Sequence, residues 1–579
     1  MKKIVISKLF LYRYRFYIGY TLLGIAFVTI LFILPLISPR GLSTAEMESA
    51  ISSAELNFHS ITSGELADLP YHTLQKLSLM LFGLSFYSIK LPSIIIGLCL
   101  GLTLIALLNR WFKSNVALFA SILTVLSTPF LYLAGNGTPL IMLVFWPTFL
   151  LWLGSKIQGV NKPRPAFCFI FAFALLLSIF TPHLIYLAAF IVIFAFAQPH
   201  LRYTIKTLPK IPLIVSSLFG LAGITILSIN IAARPHVAAS LLFMPSFSLS
   251  QFLANLNSGF APFFSWNSNL ENVLLSPLIN LAVLALAFTG LISTTKGFFA
   301  SRNSIASYFI FFTLFLTGLH PDSAILIILP LSILIAHGLR YILEKWYGLF
   351  PENPYARIFA ILPISIFLGI TLVADLSHFI FGYRYNPAVA NQFNNDLSLI
   401  QAQENHPPIL VAEDSLEHHF YRLLGESRIA LDLSDPTLSQ VIALEKIENP
   451  PSKFSLSRII TSPKADNSDR IYLYTVKQEW IMGRTMDQVK MLNQLRKAQK
   501  ALKNEIVEVE AGDGAVKVQI NGELKIKKIS IDPDRVDLDD IRELERWLEN
   551  CLRDGYAKAQ EIASDKMKPL MGGLSDLGL

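Results

Sequence analysis

Residues 477–492 read KQEWIMGRTMDQVKML, and the chain changes character inside them. Upstream it is membrane-like; downstream it reads as a small, charged, soluble module. The 579 residues are 53% hydrophobic and 15% charged, against about 25% charged in an ordinary soluble domain. That balance describes a membrane protein with soluble parts. From Met486 onward 16 Lys+Arg face 18 Asp+Glu, a net of −2, so the preceding residues carry +9 of the overall +7. The basic excess therefore belongs to the membrane half and is no sign of nucleic-acid affinity. Cys99, Cys168 and Cys551 are scattered, which supports neither a disulfide framework nor a zinc site.

The start, MKKIVISKLFLYRYRFY, holds five basic residues, and the first acid is Glu46. The apolar run that follows is long enough to span, and no small-residue cleavage site succeeds it, so it reads as a transmembrane helix and not a signal peptide. About eleven spans are expected, near 16–38, 91–109, 116–134, 138–155, 167–181, 183–198, 212–232, 272–293, 305–319, 322–342 and 357–377. With a cytoplasmic N-terminus, alternate loops collect Arg110 and Lys113, Lys156 to Arg164, Arg202 to Lys210, Lys296 and Arg302, and Arg340 to Arg357. The outer loops hold few, chiefly Arg40 and Arg234. This bias sets the orientation and puts everything after the eleventh span outside the cytoplasm.

Strand-like runs PPILVAED and RIYLYTVK lie within 381–480 and predict a small extracytoplasmic α/β domain. After a junction at 481–485, residues 486–579 follow an α-β-β-α plan. Met491, Leu495, Ala498 and Leu502 recur at helical spacing, and AVKVQI and LKIKKISID flank an Asn521-Gly522 hairpin turn. Asp537 is placed to cap a long helix with Ile541, Leu544, Leu548, Leu552 and Tyr556 on one face. So small a module buries little apolar area alone, which predicts a homodimer.

The first outer loop, from PRGLSTAEMESAISSAELNF to the run beginning ELADLPYHTLQKLSLMLFG, is long and acidic and lies at the membrane surface. A carboxylate there suits general-base work on an acceptor hydroxyl, and a lysine at the membrane boundary suits a donor phosphate. The structural alternative is equally definite: Ser43-Thr44-Ala45-Glu46 is a capping box. Glu48 and Asp68 read as solvated or as loop residues meeting an acceptor, and His72 and His183 as local packing. The aromatic stretch 242–266 reads as an interfacial loop.

The sequence LPYHTLQKLSLMLFG, the run IKLPSIIIGLCLGLTLIALLNRWF, and LSTPFLYLAGNGTPLIMLVFWP in that order resemble the protein mannosyltransferase and aminoarabinose-transferase superfamily. Those are membrane glycosyltransferases of the GT-C fold. The resemblance spans roughly 10–380, most strongly 69–155. It implies a GT-C-like domain over 1–380, a polyprenyl-phosphate-linked sugar as donor within membrane lipid, no other cofactor or metal, an acceptor outside the cytoplasm, and inversion at the anomeric carbon. Family members carry an Asp-Glu pair early in the first loop, where this chain reads Ala45-Glu46. The resemblance thus implies Glu46 as base or acceptor-orienting residue, and Lys90, before Leu-Pro-Ser, at the donor phosphate. Lys90 also fits a snorkelling lysine at a span end.

Residues 486–579 are similar to the YbaB/EbfC nucleoid-associated family, in GDGAVKVQING, the ISIDP strand end, the long last helix and the closing MGGL. That likeness implies a DNA-binding homodimer. Arg496, Lys497, Lys500 and Lys503 lie together on the first helix of the module, as a phosphate-contacting stripe or as a solvated face.

The two halves disagree in topology, since eleven spans leave the module where no chromosome lies. Three accounts fit: two neighbouring genes merged, with Met486 as a start and the product cytoplasmic; a span count off by one; or a module recruited outside for dimerisation. The first is preferred, because no Gly/Ser/Pro-rich linker separates the halves. The functional readings are a membrane glycosyltransferase joined to a DNA-binding module, a membrane-tethered DNA binder without transferase activity, and a non-catalytic scaffold.

Overall fold

A computed structural model of the chain describes residues 10–575 except 40, 58–66, 159–164, 208–209, 234–240, 242–247, 266–273, 296–300, 350–353, 391, 404–405, 434–437, 452–453, 462–469, 477–495 and 537–539. It divides into two compact units, Met1–Val476 and Lys477–Leu579.

The first unit is mainly helical. Its helices are α1 (Phe10–Ile37), α2 (Thr44–Glu55), α3 (Leu69–Phe82), α4 (Phe86–Trp111), α5 (Ser114–Val125), α6 (Thr128–Gly135), α7 (Ile141–Gln158) and α8 (Pro165–Ser178). They continue with α9 (Ile185–Ala197), α10 (Pro199–Thr207), α11 (Lys210–Ala233), α12 (Leu249–Phe264), α13 (Leu281–Thr295), α14 (Ser301–Leu319), α15 (Ile328–Leu349) and α16 (Pro354–Tyr385). Among the described residues, three segments are long and apolar enough to cross a membrane alone, one pair of helices is a bent candidate, and seven shorter apolar helices accompany them. Each falls on one of the eleven expected stretches.

Two expectations need correcting. The stretch 116–134 is no single rod: α5 and α6 meet at 62°. Ser127 stands at the break with Pro129 in the first turn beyond it, a position proline favours because the missing N–H would have no intrahelical partner there. The aromatic stretch 242–266 is no loop over its described C-terminal part, where Ser248 precedes the 16-residue helix α12.

The bundle is tightly packed where α13 crosses α15. A Cβ on Gly290 would lie 2.0 Å from the Leu334 carbonyl oxygen, and one on Gly338 would lie 2.1 Å from that of Leu286. The two backbones touch, as small residues allow in membrane helix pairs. Gly338→Val is expected to force the helices apart and cost about 1–3 kcal/mol or more. A thermal melt in detergent matching wild type would refute the contact.

After α16 the chain builds a mixed five-stranded sheet, ordered β2-β1-β3-β5-β4. Its strands are β1 (Ile409–Leu410), β2 (Ile429–Ala430), β3 (Gln440–Ala443), β4 (Phe454–Thr461) and β5 (Arg470–Val476). β1 pairs in parallel with β2 and β3, while β5 is antiparallel to β3 and β4. The two expected strands are β1 and β5; the other three go beyond the sequence reading. Helices α17 (Asp396–Gln401) and α18 (Leu416–Arg422) cover it. Leu42, Met47 and Ala50 of the first loop are buried in one cluster with Leu397, Ile400, Ile409, Phe420, Ile442 and Ile471. Leu42 also forms a β-bridge with Asn394. The first loop and the α/β domain therefore share a core.

The second unit has a helix over 496–504, an antiparallel sheet β6-β7-β8 and the helix α19 (Ile541–Ser575). The strands are β6 (Ile506–Ala511), β7 (Val516–Asn521) and β8 (Ile526–Ile531), three where two were expected. The hairpin also differs. Leu524 carries the positive φ of 61°, and the connection closes through Asn521, whose N–H donates to the Lys525 carbonyl and whose Oδ1 accepts the Lys525 N–H. Gly522 is required instead by the close approach of Leu502, whose carbonyl oxygen would lie 2.6 Å from a Cβ. The buried face of α19 centres on Trp547, Cys551 and Ala559 beside Leu544, Leu548 and Leu552. Ile541 and Tyr556, expected there, are 65% and 38% exposed. Asp537, Met491 and Leu495 lie outside the described residues.

Candidate active site

The first loop is fastened by side-chain bonds that its small polar residues make possible. Ser43 and Glu46 form the anticipated capping box at the start of α2, with Glu46 Oε2 accepting the Ser43 N–H at 2.9 Å. Its other oxygen turns inward. Oε1 accepts the Gly137 N–H at 2.7 Å and stands 3.5 Å from Lys90 Nζ. Both side chains are buried, so capping and an ion pair coexist on one carboxylate. Gln75 of α3 ties the same elements together. Its Nε2 donates to the carbonyls of Ile89 and Gly137, and its Oε1 accepts from Ser49 and Ser53.

Beside this knot lies a cavity of about 800 Å³. Polar groups from separate elements meet in it: Asp68, Tyr132, Asn136, Thr138, His183, His320 and Asp322, against an apolar wall that includes Leu140, Leu143, Phe263 and Leu274. The His183 and His320 rings stack at 5.1 Å, and His183 Nδ1 is 3.1 Å from Ser323 Oγ. Neither Glu46 nor Lys90 lines this cavity, whereas Ala45 does. Asp68 lines it too; its backbone N–H donates to the Phe180 carbonyl at 2.7 Å, and burial pushes its carboxyl up to about 7. Glu48 is exposed on α2 and is not part of the lining.

The structure thus brings Glu46 and Lys90 together and sets Asp68 on the cavity, with Glu48 apart. Sequence reasoning missed Tyr132, Asn136, His320 and Asp322. AGNG at 134–137 carried the one available signal, a polar break inside an apolar run.

In the second unit Arg496, Lys497, Lys500 and Lys503 all lie on the helix over 496–504, and together they give one basic strip at helical spacing.

A helical, membrane-type region joined to a small αβ module is the architecture the chain presents. The family model for dolichyl-phosphate-mannose-protein mannosyltransferase matches residues 71–229, a span that includes Lys90. The model of the YbaB/EbfC DNA-binding family matches 479–574, beginning upstream of Met486. A nucleoid-associated protein of Chloroflexus aurantiacus is 41% identical over 87 residues, 15% of this chain and 87% of that protein. One from Ruminiclostridium cellulolyticum is 36% identical over 88 residues, 15% and 76%. Through its C-terminal module the chain belongs to the YbaB/EbfC family. Among solved structures, ArnT from Cupriavidus metallidurans bound to undecaprenyl phosphate superposes with a TM-score of 0.46 and 12% identity, over 79% of this chain and 98% of that one. The Archaeoglobus fulgidus oligosaccharyltransferase gives 0.41 and 11%, over 72% and 64%.

Proposed function

We propose that the membrane half moves a sugar from a polyprenyl-phosphate donor to an extracytoplasmic acceptor hydroxyl with inversion, and that the C-terminal module binds DNA as a homodimer. The observation that carries the transferase reading is the cavity beside the first loop, where polar groups gather against an apolar wall suited to an amphiphilic lipid-linked sugar. The family-model match over 71–229 supports the same donor class.

Glu46 and Lys90 enter this proposal with altered weight. The Glu46 carboxylate already accepts from Ser43 and Gly137 and faces Lys90, which suits it to holding the loop. Lys90 reaches a donor phosphate only if that pair opens. The test is transfer of radiolabelled sugar from undecaprenyl-phosphate donors to envelope material by the purified chain. Failure with every donor would favour the second reading, a membrane-tethered DNA binder without transferase activity. Ala45 on the cavity wall, where a carboxylate is absent, is the observation in its favour.

For the module, we expect DNA affinity to fall steeply with salt, because neutralising backbone phosphates releases counterions. Replacing Arg496, Lys497, Lys500 and Lys503 with Ala should flatten the log-log salt slope by about 0.9 for each phosphate that the strip ceases to neutralise. An unchanged slope in gel-shift titrations would identify the strip as a merely solvated face. Protease protection of the module in intact cells, with cleavage after membrane opening, would place it on the cytoplasmic side.

A further inference from the structure

The cavity wall lacks a carboxylate at one place and holds one at another. Ala45 lines it with a methyl group. Asp68 lines the same space, and its Oδ1 is shielded from solvent and has no hydrogen-bond partner among the described residues. The neighbouring acids are poorer bases for a reaction here. Glu46 is saturated by its partners, and the Asp322 side chain is 67% exposed, 3.7 Å from His320. Among the described residues no lysine or arginine belongs to the lining, so the Asp68 carboxylate meets no such cation there that would quench its basicity.

The backbone fixes this residue. Asp68 sits at φ 53°, in the left-handed region, between the Phe180 carbonyl and the start of α3, where its own carbonyl accepts the N–H groups of Tyr71 and His72. Its side chain makes no capping bond to the helix it precedes. The carboxylate is therefore not committed to capping α3.

We propose that Asp68 is the general base of the transfer, serving the role that a carboxylate at position 45 would fill; this rests on the glycosyltransferase reading. The acceptor hydroxyl oxygen bonds to the anomeric carbon as the bond from that carbon to the donor phosphate oxygen breaks. Polyprenyl phosphate departs with the bonding pair, and the hydroxyl proton passes to the Asp68 carboxylate. A carboxyl raised to about 7 by burial is matched to proton abstraction near neutral pH. His183, His320, Asp322 and Tyr132 line the same cavity, and Tyr71 lies close enough to feel the Asp68 charge.

The test uses the full chain in detergent with undecaprenyl-phosphate-linked mannose, glucose and arabinose, and an envelope extract as acceptor. Wild type, Asp68→Asn, Ala45→Asp and the double variant are compared, each checked for an unchanged melt. Asp68→Asn should lower kcat roughly 100-fold or more with donor KM little changed. It should also abolish an acid limb in kcat/KM that lies near pH 7 in wild type, where activity falls as Asp68 takes up its proton. Adding Ala45→Asp should restore turnover with the limb moved to lower pH. Wild-type rates in Asp68→Asn would overturn the base and leave the transferase reading standing. An inactive wild type awakened by Ala45→Asp alone would also overturn it, since Asp68 would then fail to replace the missing group. Inactivity of wild type and Ala45→Asp with every donor would refute the transferase reading and the base with it.

Discussion

Glu46→Ala is expected to destabilise the first loop by about 3–5 kcal/mol, because it strands a buried ammonium. Lys90 Nζ has no hydrogen-bond partner among the described residues; its company is the Glu46 carboxylate at 3.5 Å and the Phe86 ring at 5.4 Å. Removing the carboxylate also frees the Gly137 N–H, which Glu46 Oε1 holds. The paired change Glu46→Gln with Lys90→Met should recover most of the loss, since replacing both members of a buried pair with neutral groups is often nearly neutral. Thermal unfolding in detergent and protease nicking of the first loop read both effects. A wild-type melt for Glu46→Ala would mean that the pair contributes nothing.

On the homodimer proposed above, Ile529→Lys should leave the C-terminal module monomeric. The apolar face of its sheet is three strands wide: Val507, Val509 and Ala511 pair across to Ile520, Val518 and Val516, and these to Ile526, Ile529 and Ile531. Helix α19 lies over β6 and β7, and the buried cluster contains no β8 residue among those described. Ile526, Ile529 and Ile531 remain 41%, 41% and 42% exposed. Burying such a side chain is worth about 1.5–3 kcal/mol, so a charge at its centre should weaken association by roughly 100-fold. Sedimentation of residues 477–579 gives the answer. A monomeric wild type would leave the bare face unexplained by self-association.

The membrane helices are legible in the sequence because apolar length and loop charge are properties of composition, and each of the eleven expected stretches holds a described helix. The break at Ser127 is not, since Thr128-Pro129 reads equally well inside a kinked rod or at a new helix start. In the α/β domain β1 and β2 are two residues each, too short for any alternation to register. β6, with Ile506, Val507 and Val509 among acids, escapes notice because its charges mask the period of two. The site is legible in part. Glu46 and Lys90 stand out as charges in apolar or capping contexts, but their meeting depends on Gly137, 91 positions from Glu46. Whether a carboxylate is saturated or idle is a tertiary property, so Asp68 and Glu46 look alike in one dimension.

The core shared by α2 and the α/β domain imposes an order on biogenesis. Leu42 cannot meet Asn394, nor Met47 meet Ile471, until the intervening bundle has been synthesised. At roughly 5–20 residues per second, the apolar side of α2 waits for tens of seconds while the helices between are inserted. Ala45, on α2, is held by that core only at the end of the interval, whereas Asp68 needs only Phe180 and the start of α3. A chain interrupted before β5 would retain its membrane anchors yet lack the clamp on its first loop.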